Sequence, residues 1–538
     1  MSNYTKTTNF GAKDTLPSGD SQKIVRGSEF DTEFNAISTA IATKLESGSS
    51  SADVNFLQSG TGATTRTVQS KLRDVVSVKD FGAVGDGVTD DTAAIQAALN
   101  AAAESNKRLF VPSGSYLCNS SLACDNASAN FNGIIIEGEG CGLNNSGSEI
   151  VFSSTSGVRW LFSAASAASA FLDRVVIRDL ALRISGSSPS GSLIRLRRVF
   201  ELKMENVYLR GNNGTEYLID GNEWVNLRFD NCYFRDAAYG IASVSVAGFS
   251  SFANVIKFSV CTFDDLTTAT NFSLAGRSIE FDTCTWEPAE NGSASANLTG
   301  NYNTYFRNCW FGDGNNTGTW ITASGEQVSI ENCEILTGAT AVDLQTTFPS
   351  RIEGGRFAGA TQAIRIAANN VSVRNARIFC VENNSIGIKA VSGIGQILES
   401  NRVVESGTPS GTIAYQLAAG TTGRISDVVG STCDTFIDDG TTAAWEISTR
   451  SARLTGITTT NVGSISAGAI ATITITIPGA EIGDTVDVAA PSAIESGLMW
   501  CGYVSATDIV TIRIHNTTVS PIDPASATWY ARVTPTNF

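Results

Sequence analysis

The sequence predicts a mainly β protein whose body is a right-handed parallel β-helix, a single-stranded solenoid, and three observations carry that prediction. A six-residue pattern recurs through the middle of the chain. The composition suits strands and turns, with 50 Gly and only 17% charged residues against 42% hydrophobic ones. At 538 residues, one ordinary core is too small, so several domains or one long repeat array is required.

The repeat comes first. The segments IRDLAL (177–182), MENVYL (204–209), FDNCYF (229–234), FSVCTF (258–263), FDTCTW (281–286) and FRNCWF (306–311) share one pattern. It continues in IENCEI (330–335), IEGGRF (352–357), VRNARI (373–378) and LESNRV (398–403). Each alternates apolar and polar residues around a small or amide-bearing third position. Their fourth positions recur about every 21–29 residues, the period of a solenoid coil. Alternation at period two excludes helical repeats, and the leucine-rich signature is absent. Ten rungs stacked about 4.8 Å apart span roughly 43 Å.

Within a rung, each position has an expected place. The sixth (Leu182, Leu209, Phe234, Phe263, Trp286, Phe311, Ile335, Phe357, Ile378, Val403) forms an interior stack. Five consecutive fourth positions are Cys232, Cys261, Cys284, Cys309 and Cys333, a buried file of thiols acting as small hydrophobes. Asn206, Asn231, Asn308, Asn332 and Asn375 form an amide ladder at a bend, where Asn tolerates unusual backbone angles.

The flanks read differently. In VKDFGAVGDGVTDDTAAIQAALNAAAESNKRLFVPSGSY (78–116), Asp90 is the expected N-cap of a helix over 91–104 with Ile95, Ala98 and Leu99 on its buried face. Such a helix covers the open first rung of a solenoid. Asp86, Asp90 and Asp91 read as turn and cap residues, their spacing failing the EF-hand pattern. Residues 1–46 form a small helical unit with Phe30, Phe34, Ile37, Ile41 and Leu45 on one stripe, which requires a partner. Residues 47–66 have a linker composition, 67–125 hold the neck and cap helix, and 126–452 the β-helix. Beyond 453 the alternation in ATITITIP, VTIRIH and TWYARV predicts an antiparallel, sandwich-like β-domain over 453–538.

The bulk chemistry excludes several functions. A formal net charge of −15 disfavours nucleic acid and anionic membranes as partners. No apolar run is long enough to cross a membrane, and the polar start predicts synthesis in a cytoplasm. Eleven Cys without any CxxC pair argue against a disulfide framework or a zinc site. A single His, His515, removes most routes to Ser–His or Cys–His catalysis. Neither a cofactor nor a metal is expected.

The segment DFGAVGDGVTDDT, its Ala-rich helix and the VPSGSY turn resemble the opening motif of the pectate-lyase-like superfamily found in phage tailspikes. That resemblance covers about 40 residues and marks the fold, because the same opening serves lyases, hydrolases and adhesins alike. Residues 1–46 resemble the adaptor region of tail fibres from short-tailed phages. Together the resemblances imply a homotrimeric spike in the virion tail, made in the host cytoplasm. They imply that residues 1–46 attach it to phage tail or adaptor proteins and that it engages host surface polysaccharide. In similar spikes the last domain closes the helix, holds three chains together or binds sugar.

Outward positions, stacked into columns, give one patch with what glycan cleavage needs. The candidate catalytic carboxylates are Glu280, Asp282, Asp230 and Glu331, and the candidate substrate-binding residues are Tyr233, Tyr305, Trp310 and Arg307. Glu280 and Asp282 stand about 6–7 Å apart along a strand, and Asp230 and Asp282 about 9.6 Å apart across two rungs. Those separations suit an inverting glycosidase, whose carboxyl groups stand about 6.5–9.5 Å apart. Alternating charges down a solenoid face also arise simply to avoid like-charge stacking. The loop 220–226 offers Asp220 and Glu223 as alternatives. Three functions therefore stay open: an endo-glycosidase depolymerase, a non-catalytic adhesin, and a polysaccharide lyase, and the Arg356, Arg377, Arg402 column is either a binding strip for an acidic sugar or a trimer interface.

Overall fold

The computed structural model describes residues 4–44, 51–52, 54–125, 133–141, 147–164, 171–244, 253–272, 278–287, 296–298, 303–312, 318–324, 327–426, 432–439, 445–448 and 454–534. The chain divides into two units, Met1–Val76 and Ser77–Phe538.

The second unit is dominated by a parallel β-helix, right-handed as connections between parallel strands nearly always are. All ten predicted rungs pair in the predicted register. The second hexamer positions run Arg178↔Glu205↔Asp230↔Ser259↔Asp282↔Arg307↔Glu331↔Glu353↔Arg374↔Glu399. Further rungs extend the ladder at both ends, Leu109↔Ile136↔Ile177 before it and Leu398↔Ile425↔Ile447 after it. Parallel pairing begins earlier than the expected position 126, because Asp86–Asp90 already pairs with Gly114–Cys118.

Each turn also carries a third strand outside the hexamer. It forms its own ladder, running Trp160↔Ile194↔Ile219↔Ile241 and onward to Ile364↔Ile388↔Tyr415.

The bend inside the hexamer is a single left-handed residue. All ten third positions have positive φ: Asp179, Asn206, Asn231, Val260, Thr283, Asn308, Asn332, Gly354, Asn375 and Ser400. One such residue turns the strand sharply and lets the next strand start on an adjacent face. Asn and Gly occupy six of those positions because an L side chain there ordinarily costs about 1–2 kcal/mol. Part of the predicted amide ladder is in place: Asn231 Nδ2 donates to Asn206 Oδ1 at 2.7 Å, and Asn206 Nδ2 to Asp179 Oδ1 at 2.9 Å.

Val260 breaks the pattern. A β-branched residue at φ 54° is strained, and Val260 is 57% exposed, so packing does not demand it. Val260→Asn is expected to stabilise the protein by about 1 kcal/mol. A thermal midpoint that stays put or falls would contradict this.

The interior is stacked rather than merely filled. Phe229, Phe258, Phe281 and Phe306 lie face to face at 4.8 Å centroid spacing, the rung pitch itself. Beside them Phe234, Phe263, Trp286 and Phe311 stack at 4.9, 5.0 and 4.2 Å. All eight are fully buried, each contributing roughly 1.5–3 kcal/mol. The five predicted thiols are also buried. Three of them reach the carbonyl at the first position of the preceding rung: Cys261 to Phe229 O (3.3 Å), Cys284 to Phe258 O (3.6 Å) and Cys309 to Phe281 O (3.5 Å). Burial pushes the Cys232 and Cys284 thiols well above their ordinary range, as for an inert core residue.

The cap helix spans Thr92–Glu104 and buries Ile95, Ala98 and Leu99. Its N-cap is Asp91, not the expected Asp90. The two carboxylates divide the work. Asp90 Oδ1 accepts from Thr92 N at 3.1 Å, while the buried Asp91 accepts from Val84 N (2.7 Å) and Gly85 N (3.0 Å). Asp86 accepts from Val88 N and Thr89 N, so all three acids hold turn and cap backbone.

At the other end of this unit lie two three-stranded antiparallel sheets. One joins Leu454–Thr460, Ala527–Thr534 and Thr485–Ala489; the other joins Ile470–Thr476, Ile509–Asn516 and Leu498–Ala506. Their facing sides share one core containing Ile473, Ile475, Ile477, Ile512, Ile514, Trp529, Ala531 and Val533. The alternation read from the sequence is therefore the inside–outside alternation of these strands.

In the first unit the helix Gly27–Lys44 carries the predicted stripe. Phe30 stacks on Phe10 at 5.3 Å, yet Phe30, Phe34 and Ile41 stay exposed; Leu45 lies outside the described residues. The stretch 47–66 is not wholly extended linker. Among its described residues, Asn55–Phe56 pairs antiparallel with Arg66–Thr67, a hairpin too short to leave a hydrophobic signature.

Candidate functional site

The left-handed residue at each hexamer centre decides where the candidate side chains go. Positions before it project from one face and positions after it from the next. Glu280, Asp282, Asp230, Glu331, Tyr305 and Arg307 precede their bends and share the first face. Tyr233 and Trp310 follow theirs and stand on the adjacent face. The predicted patch is thus divided around a corner marked by Asn231, Thr283 and Asn308. Every one of the eight residues is half-buried.

On the first face two outward columns run side by side, and their charges interlock diagonally. Lys257 Nζ lies 3.6 Å from Glu280, and Arg307 Nη1 lies 2.7 Å from the other Glu280 oxygen. Arg307 Nε also reaches Glu331 at 3.4 Å, and Glu331 bonds Arg351. The result is a zigzag of alternating sign: Lys257, Glu280, Arg307, Glu331, Arg351. Arg307 further lies over the Tyr305 ring, 5.4 Å from its centroid.

Asp282 stands apart from this network. Its one side-chain partner among the described residues is the Thr283 hydroxyl at 3.2 Å. Among the described residues Asp230 has only the distant Lys203 Nζ, at 3.9 Å. Glu280 and Glu331 are therefore neutralised by cations, whereas Asp282 keeps an uncompensated carboxylate facing outward.

Around the corner lies a cluster that the hexamer alignment missed. Tyr208 and Tyr233 stack at 4.9 Å, and Tyr233 Oη donates to Asp264 Oδ2 at 2.6 Å. Arg235 binds three carboxylates, with Nε 3.2 Å from Asp236 and 3.3 Å from Asp264, and Nη2 3.0 Å from Asp265. Arg210 holds Asp236 from the other side at 2.6 Å. Burial, then the charges of Asp264 and Asp236, push the Asp265 carboxyl above its ordinary range. The signal was in the sequence as Arg235-Asp236 and Asp264-Asp265, directly past the sixth hexamer positions where the alignment stopped.

The alternatives in 220–226 are internal. Asp220 and Glu223 are 1% and 6% exposed; Arg195 Nε binds Asp220 at 2.8 Å, and Arg198 pairs with Glu223 at 2.9 Å. Neither can reach a substrate on the surface.

Comparison with known proteins fits this architecture. The fold is a parallel β-helix. The particular family whose model matches, over residues 75–292, is rhamnogalacturonase A/epimerase, pectate lyase-like. The chain is 30% identical over 162 residues to depolymerase 1, capsule KN3-specific, of Klebsiella phage KN3-1, covering 29% of this chain and 20% of that protein. It is 50% identical over 56 residues to the tail spike protein of an Escherichia phage, covering 10% of this chain and 6% of that one. The chain thus spans a fifth or less of these relatives' length. Among solved structures, tailspike protein 3 of bacteriophage CBA120 aligns with a TM-score of 0.49 at 16% identity, over 79% of this chain and 69% of that one.

Proposed function

We propose that this protein is the subunit of a homotrimeric phage tail spike that attaches to host surface polysaccharide and cleaves it as an endo-glycosidase. The carrying observation is the shaft face where Glu280 and Asp282 project from one strand beside Tyr305 and Arg307. In this reading Glu280, kept ionised by Lys257 and Arg307, takes the proton of the attacking water. Asp282, two residues along and free of a cationic partner among the described residues, gives a proton to the leaving oxygen. An inverting pair needs carboxyl groups about 6.5–9.5 Å apart, and alternate residues of one strand, about 6–7 Å apart, supply that spacing. Arg307 and Tyr305 orient the sugar, Asp230 lines the same face, and Glu331 positions Arg307. Tyr233 and Trp310 offer ring faces around the corner for the flanking part of the chain.

Residues 1–46 attach the spike to phage tail or adaptor proteins through the exposed stripe of Phe30, Phe34 and Ile41. The sheets beyond 453 hold the trimer or bind receptor. The names of the two phage relatives, a capsule-specific depolymerase and a tail spike, support the same assignment.

The ion-pairing of Glu280 and Glu331 with Arg307 favours a second reading, a spike that binds sugar on this face without cutting it. Incubating purified protein with capsular and lipopolysaccharide fractions from Klebsiella and Escherichia strains separates the two. New reducing ends are expected. Binding without fragments means an adhesin, an unsaturated uronate absorbance means a lyase, and neither binding nor fragments overturns the proposal. Light scattering that shows a stable monomer would remove the trimer.

A further inference from the structure

The column after the bend ends in three arginines. Down the shaft it runs Tyr208↔Tyr233↔Thr262↔Thr285↔Trp310↔Glu334↔Arg356↔Arg377↔Arg402. Arg356, Arg377 and Arg402 are all exposed, on successive rungs. Like charges directly opposite one another in a sheet destabilise it. Glu334 answers only the first, at 2.9 Å from Arg356. Among the described residues neither Arg377 nor Arg402 has a carboxylate partner. The chain has 52 acidic residues against 37 basic ones, so this is no overflow of positive charge.

The strip also has an apolar surface. Phe379 sits on the same outward face, with the guanidinium of Arg377 5.0 Å and that of Arg356 5.4 Å from its ring centroid. Guanidinium groups held against a ring are ordered and keep their donor edges free for a planar anion.

We propose that Arg356, Arg377 and Arg402 bind the carboxylates of an acidic polysaccharide lying along the shaft, which rests on the glycan-binding reading above and specifies its substrate class. The cations repeat at the rung pitch of about 4.8 Å, as a polymer with regularly repeated anionic groups requires. In the same column Trp310 lies two rungs from Arg356, with Glu334 between them, and stacked Tyr208 and Tyr233 lie further along, past Thr285 and Thr262.

The test uses the full chain on immobilised polygalacturonate, hyaluronate and polysialate, with dextran and mannan as uncharged controls. At least one carboxylated polymer is expected to retain the protein, with retention falling as salt rises. The double variant Arg377→Gln/Arg402→Gln is expected to bind it at least ten-fold more weakly. Arg365→Gln, which removes a cation paired with Asp343 in a different strand ladder, is expected to bind like the parent. The single variant Arg402→Gln, with a several-fold loss, serves if the double variant unfolds. Unchanged binding in the variants overturns the proposal, as does a parent held only by uncharged polymers or by host polysaccharides without acidic sugars; in those cases the spike reading survives. Dissociation of the variant's oligomer assigns the strip to a subunit interface and also overturns it. Failure to bind any polysaccharide, the host fractions included, removes the underlying reading as well.

Discussion

Asp282→Ala and Glu280→Ala are each expected to slow polysaccharide cleavage by about 10²–10⁴-fold, the usual contribution of one general acid or base. The two should differ in their effect on stability. Glu280 balances Lys257 and Arg307, so its removal leaves two half-buried cations without it. Asp282 has no such partner among the described residues and should be lost at little structural cost. The readout is the initial rate of reducing-end formation, with the thermal midpoint measured in parallel. Full activity in both variants would remove the first face from the chemistry. If Asp265→Asn then abolished cleavage, the reaction would belong to the cluster around Arg235, where burial and the charges of Asp264 and Asp236 push the Asp265 carboxyl above its ordinary range.

Phe281→Ala should produce the largest change in stability. Phe281 is fully buried, stacked on Phe258 and Phe306 at 4.8 Å, and its edge meets Trp286 at 5.3 Å. A Phe-to-Ala change at such a site costs about 3–5 kcal/mol, the lost transfer energy plus the cavity left behind. Phe281→Leu should recover much of that, because volume matters more than aromaticity in a filled core. Denaturant unfolding of the three proteins decides it. An alanine variant as stable as the parent would mean the ring stack is not the shaft's core.

Much of this shaft was legible because the hexamer writes its geometry into residue type. An apolar first position, a left-handed third and a buried sixth each restrict the choice of side chain, and all ten copies pair as the alignment requires. The third strand of each turn was not legible. Segments such as Ser192–Val199 and Gln362–Ala367 sit at variable distances from the hexamer, so no fixed offset reveals them. Nor did the sequence separate Asp90 from Asp91 at the helix start. Either can cap, and only the turn at Val84 and Gly85 determines which carboxylate faces inward.

The candidate site was half legible. Columns placed Glu280, Asp282, Asp230, Glu331, Tyr305 and Arg307 together, because outward positions on stacked strands must stack. Tyr233 and Trp310 were separated from them by a backbone angle at Asn231 and Asn308 that residue spacing does not encode. Charge pairing was equally hidden. Residue spacing does not show that Arg307 contacts both Glu280 and Glu331. Asp264 and Asp265 lay just past the repeating unit and were never aligned.

The most direct test of the account is a crystal structure of the Asp282→Asn variant soaked with an oligosaccharide from a polysaccharide the parent cleaves or binds. Sugar density is expected along the face of Glu280, Tyr305, Arg307 and Glu331, within hydrogen-bond reach of Arg307. Density confined to the antiparallel sheets beyond residue 453, with the shaft bare, would contradict it.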